Sequence, residues 1–168
     1  MESSQSFERD LTQLLPRLRR FAHTLSRNPA DADDLTQATV ERALRSREQW
    51  QPGTRLDSWM YRIMRNLWID TARARMRKDR YEAPEDEAES VGHDPREALD
   101  ASLELKRAMD AMDRLPDEQR EVVALILVEG FGYREVSEML DLPIGTVSSR
   151  LVRGRTALLA MLSRATDD

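Results

Sequence analysis

The sequence predicts an all-α protein: two small helical domains joined by a flexible acidic linker, the second a four-helix domain containing a helix-turn-helix. Three observations carry this. Ala, Leu, Arg, Glu and Met are abundant, while aromatics make up 5% and Gly only 6 of 168 residues. That balance suits helices and disfavours a strand-rich sandwich or barrel. Apolar residues recur at spacings of three and four, the period of amphipathic helices. Finally, Ala83–Pro95 reads APEDEAESVGHDP, with two Pro, one Gly and many acids. Having almost nothing to bury, it has the composition of a linker. The expected division is residues 1–82, a linker over 83–96, and residues 97–168.

In the first domain Phe7, Leu11, Leu14, Leu15, Leu18, Phe21, Ala22 and Leu25 form one apolar row, which predicts a helix. Pro16 lies inside it and is expected to kink it or to begin a second helical segment. Asn28-Pro29 ends it. Asp31 is expected to cap the next helix, running to about Ser46 with Leu35, Thr39, Ala43 and Leu44 inward. Gln51-Pro52-Gly53-Thr54 is a loop. Asp57 or Ser58 then opens a long helix through Trp59, Met60, Ile63, Met64, Leu67 and Trp68 to about Arg77.

In the second domain Glu97–Asp113 is expected to be helical, its apolar row being Leu105, Met109, Met112 and Leu115. A helix from Pro116-Asp117 packs through Val122, Val123, Ile126 and Leu127 and stops at Gly130. A short helix, Tyr133–Leu140, and the turn Asp141-Leu142-Pro143 follow. The last helix runs from about Ile144 to Leu162, burying Val147, Leu151, Leu158 and Leu162, with Gly154 where two helices approach closely.

The formal net charge is -5, but its distribution matters more than its sum. Residues 1–82 are net +4, residues 83–104 net -7 and residues 105–168 net -2. Arg62–Arg80 is net +5 in 19 residues, and Gly145–Arg155 holds three Arg and no acid. With zero Cys, disulfides, Cys-ligated zinc and thiol catalysis are excluded. No run of about 18 apolar residues occurs, so no membrane insertion is expected. The start, MESSQSFERD, has no signal-peptide segment, and a cytoplasmic protein is the expectation. His23 and His93 are the only histidines, and phosphate-binding Gly motifs are missing. No enzyme activity, cofactor or metal site is therefore expected.

Three constellations remain. The last two helices suggest a helix-turn-helix, in which Val147, Leu151 and Leu158 bury while Thr146, Ser148, Ser149, Arg150, Val152, Arg153 and Arg155 face outward. An ordinary helical hairpin with a solvated face fits the same spacing. On the long helix Arg62, Asn66, Arg73 and Arg77 share one side, with Trp50, Trp59, Tyr61 and Trp68 nearby. Cations among aromatics suit unstacked single-stranded DNA, although Trp59 and Trp68 individually read better as core. Asp31 suits a helix N-terminus, whereas Asp34 and Gln37 project one turn apart and are free to face a partner.

At these residues the chain resembles a known family. DADDLTQATVERAL (Asp31–Leu44) resembles the second conserved region of bacterial sigma factors. SWMYRIMRNLWIDTARAR (Ser58–Arg75) resembles the promoter-melting region that follows it, and Leu115–Leu158 resembles the fourth sigma domain. Their order, the missing third domain and the short length match the extracytoplasmic-function group. The resemblance implies a non-enzymatic subunit that binds core RNA polymerase and promoter DNA. It places Asp34, Leu35 and Gln37 at the polymerase clamp, and Trp50–Asp57 at the loop holding a flipped base of the −10 element. Thr54, Arg55, Arg62, Arg65, Asn66, Arg73 and Arg77 would contact that DNA, and Thr146, Ser148, Ser149, Arg150, Val152 and Arg153 the −35 major groove. Ala38 stands where many members carry an acid, and Ser148 where relatives are often basic. Control by an anti-sigma factor is also implied. It would cover the Asp34–Gln37 side and exposed apolar residues of the 99–115 helix such as Leu99 and Leu103, and Met112 unless, as its place in the apolar row favours, that side chain is buried within the domain. The alternatives are a helix-turn-helix regulator acting on duplex DNA without polymerase, and a small metal-dependent hydrolase.

Overall fold

The computed structural model describes residues 2–81 and 101–164, with side chains over 5–81 and 102–164. The proposed linker, Leu99 and the expected helical start at Glu97 lie outside them. Among the described residues the elements are α1 (Glu2–Ser26), α2 (Pro29–Arg45), a 3-10 turn (Arg47–Gln49), α3 (Leu56–Asp79), α4 (Ala101–Asp113), α5 (Asp117–Val123), α6 (Tyr133–Leu140) and α7 (Ile144–Arg164). No strand occurs among them. The chain divides into two compact units, Met1–Gly92 and His93–Asp168.

In the first unit α1, α2 and α3 pack on one another. Phe7, Leu18, Phe21 and Ala22 of α1 meet Ala43 of α2 and Met60, Tyr61 and Met64 of α3, each no more than 1% exposed. Each of the larger side chains contributes about 1.5–3 kcal/mol by leaving water, Ala22 and Ala43 less. The period placed α1 correctly, but Pro16 does not interrupt it. Pro16 is exposed, so the carbonyl that loses its helical partner is on the solvent side, where water replaces the bond.

α2 is capped by Asn28, not by Asp31. The Asn28 Oδ1 accepts from the backbone N–H groups of Ala30 and Asp31 at 2.9 and 3.1 Å. Pro29, which lacks the N–H, fits the first helical position. Leu44, expected inward, is 48% exposed. α3 opens at Leu56 with no side-chain cap. Trp59 and Trp68, expected as core, are half-buried, and Tyr61 is the buried aromatic. Its ring lies 4.8 Å from Phe21 with the Arg17 guanidinium 5.7 Å above it. The inward row is Leu56, Met60 and Met64, and the two larger indoles flank it at its edges.

In the second unit α7 is the hub, packing on α4, α5 and α6. Leu115, Val122, Val123, Leu125, Phe131, Val136 and Val147 form its core. The helix begun by α5 passes into a π-helical turn, Ala124–Val128. The extra residue per turn shifts the inward register, so Ala124 and Leu125 are buried while Leu127, expected to pack, is 51% exposed. Gly130, at φ +77, ends this stretch. On α4 the packing side is Ala111, with Leu115 just beyond the helix. Leu105 and Met109, expected as core, are 61% and 45% exposed, and Leu103 is 51% exposed. Leu158, Leu162 and Met112 are half-buried. Arg120 is only 3% exposed. Its guanidinium donates to the Leu115 carbonyl at 3.0 Å and to Asp117 at 2.8 Å, tying α5 to the turn that precedes it.

Candidate nucleic-acid interface

On α3 the polar row is solvent-facing as the spacing requires: Arg62, Asn66, Arg73 and Arg77 are exposed, and Arg65 is half-buried beside it. Arg75 belongs to another side of the helix. It donates to both Asp31 oxygens at 3.0 and 2.8 Å and lies 5.9 Å over the Trp68 ring. This bidentate bond is the main reason the Asp31 carboxyl is held below its usual range, against a smaller opposing effect of burial. Asp31 therefore ties α2 to α3 rather than serving as a cap.

The loop before α3 is fixed at both ends. In Gln51–Thr54 the Thr54 N–H and hydroxyl both donate to the Gln51 carbonyl, at 3.1 and 2.6 Å. Pro52 and Gly53, the latter at φ +89, occupy the positions a type II turn demands. At one end the Trp50 ring lies 5.5 Å from that of Phe7 at a tilt of 48°, and Phe7 also meets Trp59 at 6.4 Å and the Arg47 guanidinium at 5.1 Å. The Trp50 Nε1–H is buried without a partner. At the other end Asp57 accepts from Arg55 at 3.1 and 2.8 Å, from Arg17 at 3.3 Å and from the Ser58 N–H at 2.8 Å. Burial pushes this carboxyl up. The bonds from Arg55 and Ser58 and the charges of Arg55 and Arg17 outweigh it, and the net shift is downward. Between loop and α1 lies an open cleft of about 430 Å³, with Asp10, Gln13 and Leu14 on one side and Trp50, Thr54 and Leu56 on the other. The α1 wall has no signal in the sequence, because only the folded chain brings it to the loop.

On α2 the three residues grouped by resemblance separate. Asp34 and Gln37 are exposed, with the Gln37 amide donating to Glu41 at 3.3 Å. Leu35 is 6% exposed and belongs to the core. At 100° per residue it stands 100° from Asp34 and 160° from Gln37, on the packed side of α2, and offers a partner almost no surface.

On α7 Val147, Leu151 and Gly154 face inward. Ser149, Val152, Arg153 and Arg155 are exposed, while Thr146, Ser148 and Arg150 are half-buried. The Arg150 guanidinium lies 3.5 Å from Glu118 of α5, a partner the sequence did not suggest. α6 and α7 meet through a turn in which Asp141 takes φ +53 and the Leu142 N–H donates to the Ser137 carbonyl. That is helix-turn-helix geometry with α7 as the second helix.

Comparison with known proteins agrees with both units. Residues 11–78 match the Sigma-70 region 2 family and residues 105–158 the Sigma-70 region 4 family. The ECF RNA polymerase sigma factor EcfG of Rhodopseudomonas palustris is 36% identical, covering 96% of this chain and 88% of the relative. SigE of Mycolicibacterium smegmatis is 38% identical, over 95% of this chain and 62% of that longer protein. Among solved structures, the sigma factor RpoE of Bartonella quintana, in complex with the anti-sigma factor NepR, superposes with TM-score 0.81 at 30% identity. The match covers 95% of this chain and 98% of that one. Both sigma regions in order, on a shared fold, favour promoter selection over DNA binding without polymerase: the chain belongs to the extracytoplasmic-function sigma factors, which bind core RNA polymerase and direct promoter-specific initiation of transcription.

Proposed function

We propose that the work is divided among three surfaces. Asp34 and Gln37 on the outer side of α2 dock on core polymerase. The cleft beside the 50–57 loop takes one extruded base of the −10 element, and Arg62, Arg65, Asn66, Arg73 and Arg77 follow the strand beyond it. α7 enters the major groove of the −35 element through Ser149, Val152 and Arg153, with Thr146, Ser148 and Arg150 at its margins. Thr54 lines the cleft and Arg55 braces the loop through Asp57, since the Thr54 hydroxyl and the Arg55 guanidinium are engaged within the loop. The first unit is then sigma domain 2 and the second sigma domain 4. The chain performs no catalysis of its own and works in the cytoplasm, where polymerase is.

The observation that carries this reading is the continuity of α3. Leu56 at its start lines the cleft, and the exposed row from Arg62 to Arg77 extends about 22 Å along the same helix. A strand leaving the cleft has to pass about 9 Å along α3 and round to its solvent side to meet the first of these arginines. Extruding a base costs a few kcal/mol, and the cleft together with the row offsets it, while the −35 contacts set register. Polymerase supplies the remaining affinity. An anti-sigma factor, as in the complex of the Bartonella quintana relative, is the regulator this reading adds, and the Asp34–Gln37 surface is what it must cover.

The test uses reconstituted holoenzyme and a promoter it selects from a random library. Replacing Arg73 and Arg77 by Ala should weaken binding of the single-stranded −10 segment. It should also lower the slope of log affinity against log salt by about 1.4, at about 0.7 per lost phosphate contact. An unchanged slope overturns the assignment of this row.

A further inference from the structure

The outer side of α7 is ordered by chemical type. At 100° per residue, Gly145, Ser149, Val152 and Thr156 fall in one line opposite the buried Val147, Leu151 and Gly154. Arg153 stands on one side of this line and Arg155 on the other. A helix entering a major groove brings its midline to the base edges and its flanks to the two phosphate walls. The small uncharged residues are thus placed for bases and the arginines for backbone.

The hydrogen-bonding capacity of the midline is largely committed. The Ser149 hydroxyl donates to the Thr146 carbonyl at 3.1 Å, and the Thr156 hydroxyl to the Val152 carbonyl at 2.8 Å. The Arg153 guanidinium leans back along the helix, its Nε 3.3 Å from the Ser149 carbonyl. Gly145 has open space where a side chain would stand. Between them Val152 is 60% exposed. It gains little by burial, and a β-branched residue is a weaker helix former than Ala, Leu or Arg. A lone exposed apolar residue is unremarkable in general. This one sits in the middle of the surface that meets DNA, with no donor beside it turned outward on the midline.

The major-groove floor presents one protruding apolar group, the thymine 5-methyl. We propose that Val152 reads a thymine of the −35 element by packing its isopropyl group on that methyl. The proposal rests on the reading that α7 enters the −35 groove, and it deepens that reading by naming the base and the contact.

The test again uses holoenzyme with a −35 duplex selected from a random library. Each thymine, on either strand, is replaced singly by deoxyuridine, which removes the methyl and leaves every hydrogen-bonding group. One replacement should lower affinity about fourfold, the value of roughly one buried methylene. Val152→Ala, a better helix former at an exposed position, should bind the thymine and deoxyuridine forms equally. A selected element without thymine overturns the proposal. So does an element in which no thymine is sensitive, or a sensitivity that persists in Val152→Ala. The underlying reading fails separately, and takes the proposal with it, if scrambling the whole −35 duplex leaves holoenzyme affinity unchanged.

Discussion

Gly154→Ala adds a methyl group where the second unit has no room for one. Its Cβ would stand 2.7 Å from Val123 Cγ2, 3.2 Å from Gln119 Cβ and 3.4 Å from the Gln119 carbonyl oxygen. Ordinary carbon contacts lie at about 3.5–4.0 Å, so either α5 and α7 separate or Val123 turns. Val123 is 1% exposed and, being β-branched, has one strongly favoured helical rotamer. Overpacking of this kind costs about 1–3 kcal/mol, whereas replacing Gly by Ala inside a helix returns about 1 kcal/mol. The closest contact is most of an ångström too short, which sets the cost in the upper part of its range. The net loss is then about 1 kcal/mol, a fall of about 4–8 °C in melting temperature for a unit this small. Trp50, Trp59 and Trp68, the only three tryptophans, all lie in the first unit. Their fluorescence is therefore an internal control, and circular dichroism follows both units. The expected outcome is an unmoved tryptophan transition with an earlier loss of the remaining helix signal. Equal or higher stability of the second unit refutes the reasoning. Adding Val123→Ala should relieve the contact, so that the pair costs less than the sum of the two single changes.

Three further outcomes follow from the first unit. Leu35→Ala should destabilise it by about 2–5 kcal/mol, as for other buried leucines, whereas Asp34→Ala with Gln37→Ala should leave its unfolding unchanged and weaken core polymerase binding in a titration. The reverse pattern would restore Leu35 to the docking surface. Because the Asp57 carboxyl is held below its unfolded value of about 3.9, its contribution is full above that pH and lost as pH falls through the lower folded value. Acid unfolding followed by tryptophan fluorescence should accordingly show a shallower pH dependence below about pH 4 in Asp57→Asn than in the parent, and parallel curves would contradict this. Asn66→Ala should reduce open-complex formation, read by permanganate reactivity, more than closed-complex binding, since the strand this row is proposed to follow is single only after extrusion. A proportional loss in both would reject that role.

What the sequence revealed depended on whether one helix alone decided the matter. The bounds of Tyr133–Leu140, the turn at Asp141 and the close approach at Gly154 are local signals, and the structure shows all three. Periodicity found α4 and α5, but it names an apolar side without saying which neighbours cover it. Leu105 and Met109 satisfy the pattern and are exposed nonetheless. The π turn is not visible in a pattern read at 3.6 residues per turn, so Leu127 was assigned inward. Size misled at α3, where the row that fits between α1 and α2 admits Tyr61 and leaves the larger indoles at its margins. For the interfaces, resemblance grouped Asp34, Leu35 and Gln37 by proximity in sequence, and helix geometry separates them. The α1 wall of the cleft was illegible because residues 10–14 and 50–56 meet only through the tertiary fold.

An acidic protein that must hold DNA divides its cations between two tasks. Arg17, Arg55, Arg75 and Arg120 are bound to carboxylates of their own unit, within 2.8 to 3.3 Å. They brace the loop, the α2–α3 junction and the α4–α5 turn. Arg62, Arg73, Arg77 and Arg153 are exposed to solvent. Arg150 stands between the two tasks. At 3.5 Å from an exposed Glu118, its pairing is worth little, and a phosphate is the stronger partner for a guanidinium. On the proposed assignment the two short basic surfaces direct where a complex of net-acidic sigma chain and polymerase binds, and the larger partner is what makes that binding tight.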